Sequence, residues 1–278
     1  MTTLETLRRP KYTSYSALSC WEKDQEEYFL RYLSPHRAPR SPQGKPAAVG
    51  SGFDAYVKCA LHKDLFPNAE PDPDYDLDSL YAKQVETHHQ EWARAESEHV
   101  FQSYKRSGAY DRLLQLGEEA VEPPRFEFDV RTTIGNVLVL AKPDAHIRHK
   151  SGLNIIHDFK VNGYCSNSSM SPTKGYWLCC DGYDGNGKQS KSHGTRHKLC
   201  QEMMVENVSI SNCYMEDYSP SWADQLTLYG WSLGEKVGDE NMLICIDQIV
   251  AKKMKEGRPL LRVATFRCRV RDSYQRHL

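Results

Sequence analysis

The sequence predicts an α/β fold in which a central mixed β-sheet is flanked by helices. Three observations predict it. Helical spacing of apolar residues runs through 12–118, β-branched and aromatic residues alternate from Arg125 onward, and a helix with two strands fills 221–270. At 278 residues the chain is at the upper end of what one hydrophobic core supports. We therefore predict one domain over residues 1–278.

The helical part begins with a predicted helix over Ser14–Tyr32, with Ser14 as its N-cap. Proline, arginine and serine dominate 34–48, which indicates a surface loop, and a second helix is predicted to start at Ser51. A long charged helix over 77–104 and a shorter one over 110–118 complete this part.

The β-rich part, 125–160, predicts three strands of a meander, separated by Gly135 and by the turn at 149–152. Residues 161–220 are predicted to form an irregular insertion after this hairpin. A helix over 222–233 and strands over 242–250 and 259–269 follow.

Composition excludes several classes of protein. A content of 39% hydrophobic and 26% charged residues is typical of a soluble globular chain. No apolar run approaches the roughly 20 residues that span a bilayer, and the first residues lack a signal-peptide core, so we expect a cytoplasmic protein without a membrane partner. The nine cysteines are scattered, which favours free thiols. Because the net charge is −1, any nucleic-acid partner must be held by a local groove.

The residues that carry chemistry lie around one turn. Asp158 and Lys160 are two positions apart in a predicted strand and project from the same face. The midpoint between Asp144 and Asp158 is Ser151, so a hairpin centred there places the two carboxylates opposite each other, with Cβ atoms about 5 Å apart. Such a pair repels unless a cation lies between them, and Mg²⁺ suits the oxygen ligands. The alternative is a solvated strand face, which is where a D-x-K triplet commonly occurs.

These motifs resemble those of a known superfamily. Pro143-Asp144 followed by Asp158-Phe159-Lys160 resembles the signature of the PD-(D/E)XK nucleases. Gln225 and Tyr229 resemble the Q-x-x-x-Y motif of its RecB-like branch, and their i, i+4 spacing places both on one helix face. The segments 14–33 and 50–54 are similar to the opening helix and the glycine-led helix start of that branch.

The resemblance implies a restriction-endonuclease-like core and hydrolysis of DNA phosphodiester bonds with Mg²⁺, for which Mn²⁺ can substitute. It favours a phage-type exonuclease in DNA recombination, repair or phage DNA processing, in the cytoplasm of a bacterial or phage-infected cell. A structure-guided endonuclease of the same fold and a non-catalytic DNA-binding module are the alternatives. A single-strand annealing or recombinase protein is a further expected partner.

The resemblance also implies roles for individual residues. Asp144, Asp158 and the Phe159 carbonyl would hold the metal ion, which would polarise the phosphate and lower the pKa of the attacking water. Lys160 would orient that water or neutralise charge on the phosphate. Gln225 and Tyr229 would position the DNA strand or brace the site.

Two further acids are candidates for the same site. Asp54 stands where the branch usually has a histidine. It is either a third ligand of the metal ion or a negative charge in the first turn of a helix, where it stabilises the helix dipole. Glu127, on the preceding strand, is the weaker candidate.

The insertion contains basic residues that we expect either to contact DNA together with Tyr229 or to form a solvated loop: Lys188, Lys191, Arg196 and Lys198. It also contains histidines and cysteines at metal-like spacing but no C-x-x-C pair, so no structural zinc is expected: Cys179, Cys180, His193, His197 and Cys200. Cys20, Cys245 and Cys268 lack the grouping of an iron–sulphur site, and no cluster is expected.

Overall fold

A computed structural model describes residues 7–8, 10–36, 39–161, 206–253 and 259–278. Its α-helices are α1 (Tyr15–Lys23), α2 (Gln25–Tyr28), α3 (Lys45–Leu65), α4 (Leu77–Gln84), α5 (Thr87–Arg106), α6 (Ala109–Glu118), α7 (Pro220–Ser232) and α8 (Asp272–Gln275). A π-helical turn covers Phe29–Leu33 and a 3₁₀ turn covers Met215–Asp217. None of the helices in these ranges is both long enough and apolar enough to cross a bilayer.

The strands form one six-stranded sheet and one two-stranded sheet. They are β1 (Arg125–Phe126), β2 (Val130–Ile134), β3 (Val137–Ala141), β4 (Ala145–Arg148), β5 (Asn154–Val161), β6 (Glu206–Tyr214), β7 (Met242–Lys253) and β8 (Pro259–Arg269). The sheet order is β1-β4-β5-β7-β8-β6, and β2 and β3 form a separate antiparallel pair. The β5–β7 and β6–β8 pairs are parallel and the others are antiparallel. The predicted class, a mixed sheet flanked by helices, is confirmed.

Helices cover both faces of the sheet. On one face, α3, α5 and α6 pack with Ile155 and Phe159 of β5. On the other face, α7 packs with Ile156 of β5 and with residues of β7 and β8. The Phe159 ring meets the Phe53 ring edge-on, with centroids 5.7 Å apart. Because side chains alternate along a strand, anchoring Phe159 on the α3 side directs Asp158 and Lys160 to the α7 side.

The predicted boundaries of the helices need three corrections. The first helix does not run unbroken to Tyr32, because Asp24 is extended (φ −154°, ψ 98°) and its side chain caps α2 by accepting from the Glu27 N–H. The second helix begins at Lys45 rather than Ser51, with Gly44 as its N-cap. The long charged helix is divided by extended backbone at Val85 and Glu86.

The meander prediction was also too simple. The three predicted strands are five, because Gly135 (φ 58°) turns the chain between β2 and β3, and Pro143 lies in the break between β3 and β4. Proline has no N–H to donate to a neighbouring strand. Part of the region predicted as an irregular insertion is strand β6, which pairs with β8 at the sheet edge. The rest of it, 162–205, lies outside the described residues.

The cysteines that the structure describes agree with the prediction of free thiols. Cys20, Cys59, Cys213, Cys245 and Cys268 are all unbridged.

Candidate metal centre

The two aspartates of the hairpin face each other across β4 and β5. Ala145 pairs with His157, and the same register places Asp144, one residue earlier, opposite Asp158. The predicted register, centred on Ser151, is therefore confirmed. The Asp144 Oδ2 atom accepts a hydrogen bond of 2.9 Å from the Phe159 N–H, which fixes this carboxylate at the open end of the hairpin.

Asp158 and Lys160 lie side by side on the α7 face. Asp158 is only 3% exposed, and its Oδ2 atom lies 2.5 Å from the Lys160 Nζ atom. Burial and the nearby charge of Asp144 raise the pKa of Asp158 to about 7, although Lys160 opposes the shift. A carboxylate whose pKa is raised in this way lacks compensating positive charge, which a bound cation would supply.

The Phe159 backbone adds an oxygen on the side of Asp144. In an antiparallel ladder, the N–H and C=O of one residue point to the same neighbouring strand. Since the Phe159 N–H donates to Asp144, the Phe159 carbonyl points toward the same side. Strand β4 begins only at Ala145, so Phe159 lies beyond the paired part of the hairpin.

Helix α7 braces the lysine from above the sheet. The Lys160 ammonium donates to the Gln225 Oε1 atom at 3.2 Å, and the Gln225 amide donates to the Tyr229 hydroxyl at 3.0 Å. Burial raises the pKa of Tyr229 to about 12, so its phenol stays neutral. Tyr229 is 9% exposed, which leaves little of its ring for a DNA strand and favours the bracing role.

Helix α3 brings Asp54 to the opposite side of the hairpin. Because α3 begins at Lys45, Asp54 lies in the helix interior and not in its first turn, so the helix-dipole interpretation was wrong. The Asp54 carboxylate instead forms a short ion pair with Lys58, one turn later. Burial raises the pKa of Asp54 to about 7, and Lys58 opposes this shift while Asp144 and Glu127 add to it.

Lys58 was missed at the sequence level. Its side chain is 1% exposed, and its Nζ atom lies 2.8 Å from Glu127 Oε2 and 4.0 Å from Asp144 Oδ1, in addition to its contact with Asp54. The i, i+4 spacing of Asp54 and Lys58 was a signal that could have found it.

Glu127 reaches Lys58 from an unusual backbone conformation. Its φ of 42° lies in the left-handed region, the one such value for a non-glycine residue in the described ranges. Its carboxylate also contacts Lys142, at 2.5 Å, and the Gln84 amide. Burial would raise the pKa of Glu127, but Lys58 and Lys142 outweigh it and the net shift is downward.

The donor set suits a hard divalent ion with few protein ligands. Asp144, Asp158 and the Phe159 carbonyl offer oxygen atoms, which Mg²⁺ accepts while it keeps several waters. The Asp54 Oδ1 atom is buried without a hydrogen-bond partner. Among the residues that the structure describes, no group of three or more His, Cys, Asp or Glu side chains forms a ready-made metal cage. The oxygen atoms of Asp144, Asp158 and Phe159 therefore fit Mg²⁺ held mainly by two carboxylates.

A cavity of about 740 Å³ opens beside the acidic residues. It is lined by Lys58, Glu127 and Lys142 together with residues of 72–84 and 126–129. The predicted DNA contacts Lys188, Lys191, Arg196 and Lys198, and the possible zinc ligands of the insertion, lie outside the described residues.

Comparison with known proteins finds a similarity in structure. The chain matches no protein-family model and no curated protein. It is similar to the crystal structure of a putative exonuclease from Eubacterium rectale, with 14% sequence identity and a TM-score of 0.46. The similarity covers 96% of this chain and 75% of that one.

Proposed function

We propose that this chain is a Mg²⁺-dependent deoxyribonuclease of the PD-(D/E)XK type, with exonuclease action as the preferred mode. One observation carries the proposal: Asp144 lies opposite the buried Asp158, and Lys160 projects beside Asp158 on the same strand. Two hard carboxylates and an ammonium group at one point suit the hydrolysis of a phosphodiester, which needs a cation and a stabiliser of negative charge.

Each residue has a distinct task in this mechanism. Asp144, Asp158 and the Phe159 carbonyl would hold the ion. When bound, Mg²⁺ would polarise the phosphate and make a water molecule acidic enough to attack it. The Lys160 ammonium, kept in place by Gln225, neutralises negative charge as it develops on the phosphate oxygens. The Tyr229 hydroxyl holds the Gln225 amide in the orientation that presents its oxygen to Lys160.

A non-catalytic DNA-binding module is the rival from another class of protein. DNA binding by itself requires positive charge near the phosphates and gives no reason to bury a carboxylate. Asp158 is buried beside Lys160, yet burial and the charge of Asp144 still raise its pKa, so the pair of carboxylates lacks positive charge. A pair of carboxylates that lacks positive charge favours a metal-dependent catalyst.

The proposal is tested by incubating the purified chain with end-labelled linear DNA and closed circular DNA, with Mg²⁺, Mn²⁺ or EDTA. Release of the end label with intact circles indicates an exonuclease. Cutting of circles indicates the structure-guided endonuclease. An Asp158→Asn variant, purified in the same way, controls for contaminating nucleases. If the chain binds both DNAs but cuts neither in all three conditions, the nuclease proposal is refuted in favour of the binding module.

A further inference from the structure

Lys58 provides a fixed positive charge within the acidic site. Its Nζ atom contacts the carboxylates of Asp54, Glu127 and Asp144, while the side chain is 1% exposed. An isolated buried ammonium is costly, and only close partners of opposite charge make it tolerable. Three carboxylates contact the Lys58 ammonium, and nearby opposite charges favour the protonated form, so the group remains charged.

The backbone is arranged to bring these carboxylates to Lys58. Asp54 lies one helical turn before it on α3. Glu127 comes from the connection between β1 and β2, in a left-handed conformation with φ of 42° that is unfavourable for a non-glycine residue. The contacts of Glu127 with Lys58, Lys142 and Gln84 hold it there. A surface lysine that met acids by chance would not require such a conformation.

The formal charges leave room for one divalent ion. Four carboxylates, those of Asp54, Glu127, Asp144 and Asp158, face three ammonium groups, those of Lys58, Lys142 and Lys160. The site is therefore one negative charge in excess. One divalent ion turns this into a single positive charge, which one phosphodiester group cancels. A second divalent ion would leave a larger positive charge in a poorly solvated place, which is unfavourable.

We propose that the Lys58 ammonium takes the place of a second divalent cation among Asp54, Glu127 and Asp144, so that the chain binds a single metal ion on the Asp144–Asp158 side. Asp54 and Glu127 are then ion-pair partners of Lys58 and do not bind the metal ion. This inference rests on the proposed function, because it concerns how many ions the same site binds.

The test is the number of Mn²⁺ ions bound per chain, measured by calorimetry and by electron paramagnetic resonance, which distinguishes isolated ions from coupled pairs. We expect one isolated ion in the wild type. In Lys58→Met, which keeps the length of the side chain and removes the charge, we expect a second, coupled ion. Lys142→Met is the matched control: it removes the same formal charge from a half-exposed position but leaves the Lys58 ammonium among the carboxylates, so it should still bind one ion.

Each outcome decides between the possibilities. Two ions in the wild type, or one ion in a folded Lys58→Met chain, overturn the inference and leave the nuclease proposal standing. No ion in the wild type refutes the metal-dependent function itself. If Lys58→Met does not fold, the wild type decides alone: one isolated ion supports the inference, and a coupled pair overturns it.

Discussion

Truncating the chain of contacts that ends at Asp158 should lower the cleavage rate by graded amounts. The Tyr229 hydroxyl accepts from Gln225, Gln225 accepts from Lys160, and Lys160 lies 2.5 Å from Asp158. Lys160→Ala removes the charge that faces the phosphate, and the loss of one such stabiliser typically costs about 10²- to 10³-fold in rate. We therefore expect single-turnover cleavage by Lys160→Ala to fall by at least about 100-fold.

The two residues behind Lys160 should matter progressively less. Gln225→Ala removes a hydrogen bond of 3.2 Å to the charged Lys160, and such a bond is worth about 1.5–3 kcal/mol. If the transition state loses all of this stabilisation, the cleavage rate falls roughly 10- to 100-fold. Tyr229→Phe removes only the acceptor of the Gln225 amide, a neutral hydrogen bond worth about 1 kcal/mol, or about fivefold. The expected order of rates is Lys160→Ala, then Gln225→Ala, then Tyr229→Phe, from slowest to fastest.

The assay measures single-turnover cleavage together with calorimetric Mn²⁺ affinity. Lys160→Ala should keep the metal, because Asp144 and Asp158 remain, whereas Asp158→Asn should lose the metal and the activity together. Lys150→Ala, at an exposed lysine near the turn of the same hairpin, is the matched control and should cut at the native rate. The reasoning is refuted if Lys160→Ala cuts within a few-fold of wild type, or if Gln225→Ala is slower than Lys160→Ala.

Three further outcomes are expected. Mg²⁺ and Mn²⁺ should support cleavage while Ca²⁺, which prefers more ligands, supports only DNA binding; full activity in EDTA would contradict the two-carboxylate site. Gly52→Ala should destabilise the fold by about 1–3 kcal/mol in thermal melts, because its Cβ would lie 2.2 Å from Ser97 Oγ, whereas Gly50→Ala, with no atom within 4 Å of its added Cβ, is the control and should melt no lower than wild type. Tyr104→Phe removes a donor to the buried Asp247 carboxylate and should cost about 1.5–3 kcal/mol. Burial would raise the pKa of Asp247, but its hydrogen-bonding neighbours outweigh burial and lower this pKa below the ordinary carboxylate value. The ionised Asp247 therefore stabilises the fold fully above the ordinary carboxylate pKa. This stabilisation is lost as the pH falls through the lowered pKa of Asp247. Acid unfolding of Tyr104→Phe should therefore begin at a higher pH than that of the wild type, and identical acid midpoints would contradict this assignment.

The hairpin register was predictable because it depends on local features. A tight turn centred on Ser151, with Gly152 in the left-handed conformation (φ 86°), decides which residues of β4 and β5 meet. The Gln225–Tyr229 contact was predictable for the same reason, since one helical turn separates the two residues.

The rest of the site depends on contacts between residues far apart in the chain. Lys58 reaches Glu127 and Asp144 because α3 packs against β5. The periodicity of apolar residues in the sequence does not predict which helix packs against which strand. The φ of Glu127 is set by the partners of its carboxylate and not by its intrinsic preference. Strand β6 was missed because its partner, β8, comes some fifty residues later in the chain.

The parallel pairing of β5 with β7 has a consequence for how the chain folds. Strand β5 ends at Val161 and its partner begins at Met242, so a ribosome completes β5 long before the neighbouring strand exists. During that interval one side of β5 presents unpaired backbone groups next to Ile155 and Ile156, a surface that promotes association between nascent chains. Contacts so distant in sequence also form slowly. Expression at lower temperature, or with chaperones that shield strand edges, should therefore increase the soluble yield of the full chain, and fragments that end before β7 should aggregate.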